Sequence, residues 1–537
     1  MPPKFDPLVN PYPSIRHVQY ARYGMAATSQ PLAAQAGLEI LKKGGNAVDA
    51  AIAVASCLTV VEPTSNGIGS DSFAIVWMKD KMYGLNSSGR SPKNISIDAV
   101  KGAGHEKMPV FGWTPVTVPG APGAWAALSK RFGNLSFAET LAPAINYAEN
   151  GYPVSPTLGR FWAKAYQLYK DNLSDCDFAQ WTKVFAPNGR APGIGEMWFC
   201  KEMADTLREI AETNSESFYR GRLADIISAE SEKSGGYLAK SDLEAFEPDW
   251  VDPISVNYRG YDVWEIPPNG QGLVALMALN TLKGYDFHTK DDIETYHKQF
   301  EAMKLAFVTG KHHITDPDHM KVTPAELLSE SFGDMLRGKI SDTAAMPEPM
   351  TPQKGGTVYL ATADKDGNMV SFIQSNYLGF GSGIVVPGTG ISLQNRGHDF
   401  SLDPSHVNHL SGGKKTYHTI IPGFLTKGGK AVGPFGVMGA YMQPQGHVQV
   451  IMNSIDFHLN PQQALNSPRW QWISGKTFEV EPGFPRHIAE ELVRRGHQVN
   501  IALDNGNFGR GQIIWRNQDG VLIGGCEPRT DSAIATW

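Results

Sequence analysis

The stretch 354-KGGTVYLATADKDGNMVSF-372 decides how this chain is read. Two apolar, β-branched runs, TVYLATA and MVSF, flank DKDGN, and Asp366-Gly367 suits a tight hairpin turn. Gly355 and Gly356 stand directly ahead of Thr357, which opens the first strand. A strand needs no such preface, but a threonine that must become an amino terminus does. Its hydroxyl is a weak nucleophile, and one remedy is a base carried by the same residue, the free α-amine. That amine titrates at about pH 8, close enough to neutrality to serve as a general base. Glycine before the bond tolerates a distorted backbone and has no Cβ to obstruct attack on its carbonyl. On these residues alone, a plainer alternative stays open: a turn leading into a strand that begins with threonine.

Working outward, 537 residues exceed one ordinary core but suit a large sandwich or two closely packed halves. Apolar residues make up 41% and charged residues 19%, as in a folded globular protein. A net charge of -6 with no basic block argues against nucleic-acid or anionic-membrane partners. Cys57, Cys176, Cys200 and Cys526 form no CxxC pair, so neither a disulfide framework nor a zinc site is expected. The opening MPPKFDPLVNPYPSIRH has no apolar segment behind a basic one, and the longest apolar run, Ala50 to Val61, is too short to span a bilayer. The expectation is a soluble cytoplasmic protein.

Upstream, 31-PLAAQAGLEILKKGGNAVDAAIAVASCLTVVEP-63 predicts two packed helices joined at Lys42 to Gly45. A glycine-rich loop and a hairpin around Lys79-Asp80-Lys81 follow, then a mostly helical region with an extended insert at 254–268. Downstream, 417-YHTIIPGF-424 looks strand-like, 486-RHIAEELVRRG-496 predicts a helix, and GQIIWR with VLIGG predicts a hairpin around residues 517–520. No linker separates the parts, so they are expected to share a core.

Other patterns carry less. Gly412-Gly413-Lys414-Lys415-Thr416 lacks the upstream glycine and the Lys-Ser/Thr step of a phosphate loop. Neither 311-KHHITDPDHM-320 nor the group His398, His406, His409 and His418 has the spacing of a metal motif, so no metal is expected.

Over nearly the whole chain, however, the sequence resembles the γ-glutamyltranspeptidase family of N-terminal-nucleophile hydrolases. The residues that carry this include GGNAVDAAIA (44–53), TPVTVPGAPGA (114–124), YRGYDVWEIPPNGQG (258–272), DPD (316–318), TVYLATADKDGN (357–368), FGSGIVVPGTGISLQN (380–395), DFS (399–401) and PRW (468–470). The resemblance implies an α+β fold, a four-layer αββα sandwich. It also implies self-cleavage between Gly356 and Thr357 into a large subunit, 1–356, and a small subunit, 357–537, that stay associated. A homodimer of such pairs is left open. Thr357 falls on the family's nucleophile and Ser375 on a hydroxyl residue that bonds it. Asp399 falls on the acid for the substrate's α-amine, and Gly439-Ala440 on a glycine pair whose amides form the oxyanion hole.

The departures concern the substrate. Ser88 stands where the family has an arginine for the glutamyl carboxylate, with Arg90 two residues on. Tyr377 replaces an asparagine, Arg396 a glutamine, and His418-Thr419 two serines; the segment from Asp399 to Pro422 is too short for the usual lid. This set is similar to the cephalosporin acylase-like branch. The expected activity is therefore hydrolysis or transfer of γ-glutamyl or glutaryl groups from small-molecule amides, with no cofactor. Arg90, Arg396, Asp399, Tyr377, His418 and Thr419 are expected to line the substrate pocket, Arg90 ahead of Arg396 as the carboxylate partner. The alternative is an inert relative that only binds small carboxylates.

Overall fold

The computed structural model describes Asp6, Leu8, residues 16–347 and residues 356–537. Gly355 and most of the opening segment lie outside those residues. Two seven-stranded antiparallel sheets carry the fold. The first runs, edge to edge, Ala533–Thr536, Gly24–Thr28, Gly356–Asp364, Met369–Tyr377, Asp71–Met78, Lys81–Ser87 and Asp249–Val251. The second runs Gln19–Ala21, Leu522–Cys526, Arg510–Arg516, Lys430–Met438, Gly423–Lys427, Tyr261–Glu265 and Ile254–Tyr258.

Side-chain alternation explains the four layers. In Gly356–Asp364, Tyr359, Ala361 and Ala363 face the second sheet, packing in one core with Phe424, Met438 and Ile514. Val358 and Leu360 face the other way, into a core shared with the helices Ala47–Val61, Ala121–Phe132 and Phe137–Asn150. The second sheet's outer face, with Val263, Leu425, Val437 and Ile513, is covered by Gly272–Leu282, Ile293–His313 and Met442–Ile455. Because strands buried on both faces must be apolar at every position, TVYLATA lacks the polar alternation of a surface strand.

The hairpin from Gly356 to Tyr377 is in the middle of the first sheet, flanked by strands that precede it by some three hundred residues. The helix Ala47–Val61 is tied to it. Thr362 Oγ1 donates to Ala47 O at 2.7 Å, and the Ala47 N–H donates to Asp364 Oδ2 at 2.9 Å.

Only the end of 417-YHTIIPGF-424 joins a strand, Gly423–Lys427. The rest spends its backbone on loops rather than a ladder: the His418 N–H donates to Asn269 O and the Ile421 N–H to Gln443 Oε1, both at 2.9 Å. A further three-stranded sheet, Trp470–Ser474, Thr477–Val480 and Gln498–Ile501, has one parallel pairing that no local pattern announces.

Candidate active site

The antiparallel register places Gly356 opposite Tyr377 and Val358 opposite Gln374, with an irregularity between. One extra residue on the returning strand thus opposes Thr357, and such a bulge re-aims the side chains beside it. Thr357 Oγ1 ends 3.0 Å from Ser375 Oγ, both residues fully buried. Ser375 Oγ also accepts the Tyr377 N–H at 2.8 Å.

The facing sheet delivers the next component. A Cβ on Gly433 would lie 3.0 Å from Met369, which pairs with Ala363; a Cβ on Gly436 would overlap the ring of Tyr359. Continuing along this strand past Met438 leads towards the end of the hairpin that carries Thr357. Gly439 has φ +135° and Ala440 φ +49°, just ahead of the helix Met442–Ile455. Their amides donate to no other described residue. Gln271 fixes the turn, its Nε2 donating to Ala440 O at 2.8 Å and to Thr419 O at 2.6 Å.

Tyr377 leaves the strand with φ +76°, a costly conformation for a bulky residue that only surrounding contacts can hold. Its hydroxyl donates to Asp399 Oδ1 at 2.8 Å, and Tyr441 OH donates to the same oxygen at 3.0 Å. The Arg396 guanidinium stacks 4.2 Å from the Tyr377 ring centre, donates through Nη1 to Thr419 Oγ1 at 2.7 Å and lies 3.6 Å from Asp399 Oδ2. Arg396 is 1% exposed, yet Nε and Nη2 have no hydrogen-bond partner among the described residues, nor has Asp399 Oδ2. A buried cation with two idle donors is costly unless something else fills them.

His418 belongs to the wall behind. Its Nδ1 accepts the Ile420 N–H at 3.3 Å, so Nε2 carries the proton that faces Asp71 Oδ2 at 3.1 Å. Burial pushes the Asp71 carboxyl up to about 7, against the pull of Arg396, and holds His418 well below the ordinary imidazole range, assisted by Arg396 and Lys415. Asp71 sits opposite Ser375 in the sheet.

Arg90 lies elsewhere. It is half-exposed and pairs with Asp316 Oδ2 at 2.7 Å and Asp318 at 3.6 Å, while donating to Gly413 O at 3.1 Å. The DPD loop takes up its fork, and no hydrogen bond or ion pair joins Arg90 to Thr357, Tyr377 or Asp399 among the described residues. Arg90 thus stands apart from the group around Tyr377 and Asp399, to which Arg396 belongs. Asn376, beside Tyr377, is likewise absorbed, accepting from Ser70 Oγ at 2.8 Å and donating to Ser392 Oγ at 3.2 Å.

Two cavities meet this group of residues. One of about 480 Å³ starts at Gly439 and Tyr441 and is walled by Phe111, Phe161, Leu168 and Trp472; its cations Lys164 and Arg510 are already paired with Asp504 and Glu62. The other, of about 670 Å³, is reached at Asp399, Lys311 and Tyr417 and is rimmed by Lys101, Lys107 and His406. Sequence reasoning had not singled out Asp71, Gln271, Lys311 or Tyr441. Gln271 lies inside YRGYDVWEIPPNGQG and Tyr441 directly follows Gly439-Ala440, which was the available signal.

Among the described residues, His297, Glu301 and His497 form a buried trio. His297 Nδ1 and His497 Nε2 share a hydrogen bond of 2.9 Å, and Lys304 pairs with Glu301 at 2.5 Å. His297 is bonded at both ring nitrogens and Lys304 matches the Glu301 charge, so these groups suit a core cluster, with His497 Nδ1 left without a partner among the described residues.

A family profile described as gamma-glutamyltranspeptidase matches residues 33–537. The glutathione hydrolase-like YwrD proenzyme of Bacillus subtilis is 39% identical over 522 residues, 95% of this chain and 97% of that protein. The oxamate amidohydrolase proenzyme of Klebsiella pneumoniae is 32% identical over 96% of this chain and 98% of its own. Among solved structures, cephalosporin acylase from Bacillus halodurans superposes with a TM-score of 0.97 at 63% identity, covering 99% of both chains.

Proposed function

Because this chain belongs to the γ-glutamyltranspeptidase family, we propose that it is an autocleaving amidohydrolase that removes a carboxylate-bearing acyl group, γ-glutamyl or glutaryl, from an amine. The observation that carries this reading is the 3.0 Å contact between the hydroxyls of Thr357 and Ser375 at the head of a central strand. In maturation, Thr357 Oγ1 attacks the Gly356 carbonyl, the Gly356–Thr357 amide becomes an ester, and water hydrolyses the ester. This frees the Thr357 α-amine and leaves subunits 1–356 and 357–537. In turnover the same oxygen attacks the substrate carbonyl while the α-amine takes its proton and then passes it to the departing amine. Water next attacks the Thr357 ester and releases the acid. Ser375 orients the nucleophile in both reactions.

The amides of Gly439 and Ala440 serve as oxyanion donors, with Gln271 holding their peptide in place. Such a donor contributes about 10²–10³ in rate. Arg396, with two idle donors, takes the acyl carboxylate in place of the family's arginine; its planar fork suits a bidentate grip. The amine side of the scissile bond faces the apolar 480 Å³ cavity, which favours amides of bulky, apolar amines over hydrophilic peptides. The inert alternative is not favoured, since relatives spanning the chain are described as a hydrolase-like protein, an amidohydrolase and acylases, all proenzymes.

The test is intact-mass spectrometry of the purified protein before and after a brief exposure to glutaryl and γ-glutamyl p-nitroanilides. Two fragments, with the acyl adduct on the one that begins at Thr357, support the reading. A single uncut chain that releases p-nitroaniline overturns it.

A further inference from the structure

We propose that Lys311 is a specificity-determining residue of this site, making the acyl side select a terminal carboxylate with no ammonium beside it, the glutaryl type, over the γ-glutamyl type. The proposal rests on the amidase reading above.

Lys311 lies in the last turn of Ile293–His313, and its half-buried ammonium sits against two aromatic faces at the cavity wall, 3.8 Å from the Tyr441 ring centre and 4.4 Å from that of Tyr417. Its Nζ donates to Tyr441 OH, which in turn donates to Asp399 Oδ1. No carboxylate among the described residues touches this ammonium directly, and partial removal from water makes an unpaired charge costly. The nearest compensation is Asp399, reached through a tyrosine, and burial pushes the Lys311 ammonium down to about 8 against the pull of that carboxylate.

Asp399 lies among these side chains, and it is already engaged. Two tyrosine hydroxyls fill Oδ1, and Arg396 lies 3.6 Å from Oδ2. Asp399 therefore faces two cations, Arg396 and Lys311, while Asp71, whose carboxyl burial pushes up to about 7, lies on the far side of Arg396. A γ-glutamyl end brings a carboxylate and an ammonium with no net charge, so its ammonium would have to approach Asp399 between these like charges. A glutaryl end brings only the carboxylate and completes the balance. The outer cavity adds no net sign, since Lys101 and Lys107 are matched by Glu106 and Asp403. Besides Asp399, Tyr417 and Tyr441, His406 lies close enough to Lys311 for the two charges to repel.

The experiment compares glutaryl and γ-glutamyl p-nitroanilides, which differ by one ammonium and share a leaving group, on wild type, Lys311→Met and Lys311→Arg. Wild type is expected to favour the glutaryl substrate by at least tenfold in kcat/KM. Lys311→Met is expected to cut that preference about tenfold, mainly through KM, and Lys311→Arg to keep most of it. A purely structural role would lower both substrates together and leave the ratio unmoved, which overturns the proposal, as does a wild-type preference for γ-glutamyl. Should Lys311→Met fail to mature, wild type alone decides. KM for the glutaryl anilide should climb from pH 7 to 9 while that for the uncharged pentanoyl anilide stays flat, and parallel profiles overturn the proposal. If wild type cleaves neither charged substrate, the amidase reading falls and takes this one with it. Cleavage of both with an unmoved ratio removes Lys311 alone.

Discussion

Thr357 Oγ1 and Ser375 Oγ lie 3.0 Å apart because the hairpin between them turns at Asp366-Gly367 and bulges where it returns. The pair is local in sequence and needs no distant loop to form. Thr357→Ala should therefore fold normally, remain a single chain on a denaturing gel and release no product. Thr357→Ser keeps the hydroxyl and should still cut itself. An alanine variant that yields two bands would locate the nucleophile elsewhere.

Ser375→Ala leaves the Tyr377 N–H and the Thr357 hydroxyl without a buried partner, a loss of about 1–3 kcal/mol. Both the scission half-time and kcat should suffer by roughly 10- to 100-fold, since one contact serves both reactions. Time-resolved gels and steady-state assays measure the two effects separately. Normal scission with slowed turnover would mean that Ser375 acts on the substrate rather than on Thr357.

At Gly439, φ is +135° and a Cβ would come within 3.0 Å of the Gly509 backbone. Gly439→Ala must shift the turn, and with it the amides aimed at the oxyanion. A fall in kcat of about 10²-fold with a small change in KM is expected, because such donors act on the transition state. A rise in KM alone would argue that this turn contacts the ground-state substrate.

The two arginines can be separated directly. Arg396→Ala should raise KM for glutaryl substrates at least tenfold relative to uncharged amides. Arg90→Ala, which breaks a half-exposed pair with Asp316, should leave that ratio alone. The opposite result would place the carboxylate site in the loop that holds Ser88 and Arg90.

Asp71 and His418 place opposite demands on pH. Folding raises the Asp71 carboxyl to about 7 from an ordinary 3.8, so its contribution to stability is full below pH 4 and is lost as pH rises towards 7. His418 is held neutral, so its cost appears as pH falls below about 6.5. Relative to wild type, Asp71→Asn should gain thermal stability steadily between pH 4 and 7. A constant Tm difference across that range would show that Asp71 does not titrate there.

How far the site could be read in advance follows from where each residue sits in the chain. Thr357, Ser375 and the Asp-Gly turn form one hairpin whose geometry is written in a 22-residue segment. The αββα layering followed from a resemblance, since nothing local says that Gly24–Thr28 and Met369–Tyr377 flank the same strand. The ion pair that holds Arg90 was not legible. It depends on the DPD loop, more than two hundred residues after Arg90, arriving to neutralise it. Lys311 was hidden differently: in a helix with cations in its last turn, KHH looks like an ordinary solvated end until Tyr417 and Tyr441 close over the lysine. The stretch at 417 looked like a strand because its residues favour one, whereas its backbone is claimed by Asn269, Gln271 and Gln443.

The interleaving of the first sheet has a consequence for the life of the mature protein. Gly356–Asp364 is hydrogen-bonded on one side to Met369–Tyr377 and on the other to Gly24–Thr28, and Met369–Tyr377 is in turn bonded to Asp71–Met78. Opening the backbone before Thr357 would sever none of these ladders, so the fragments hold together as long as the sheet does. What changes is molecularity. An uncut chain that unfolds can recover in a first-order step at any dilution, whereas the cut form would have to find its other half by collision. Scission would thus exchange a reversible fold for one whose persistence is set by the rate of unfolding.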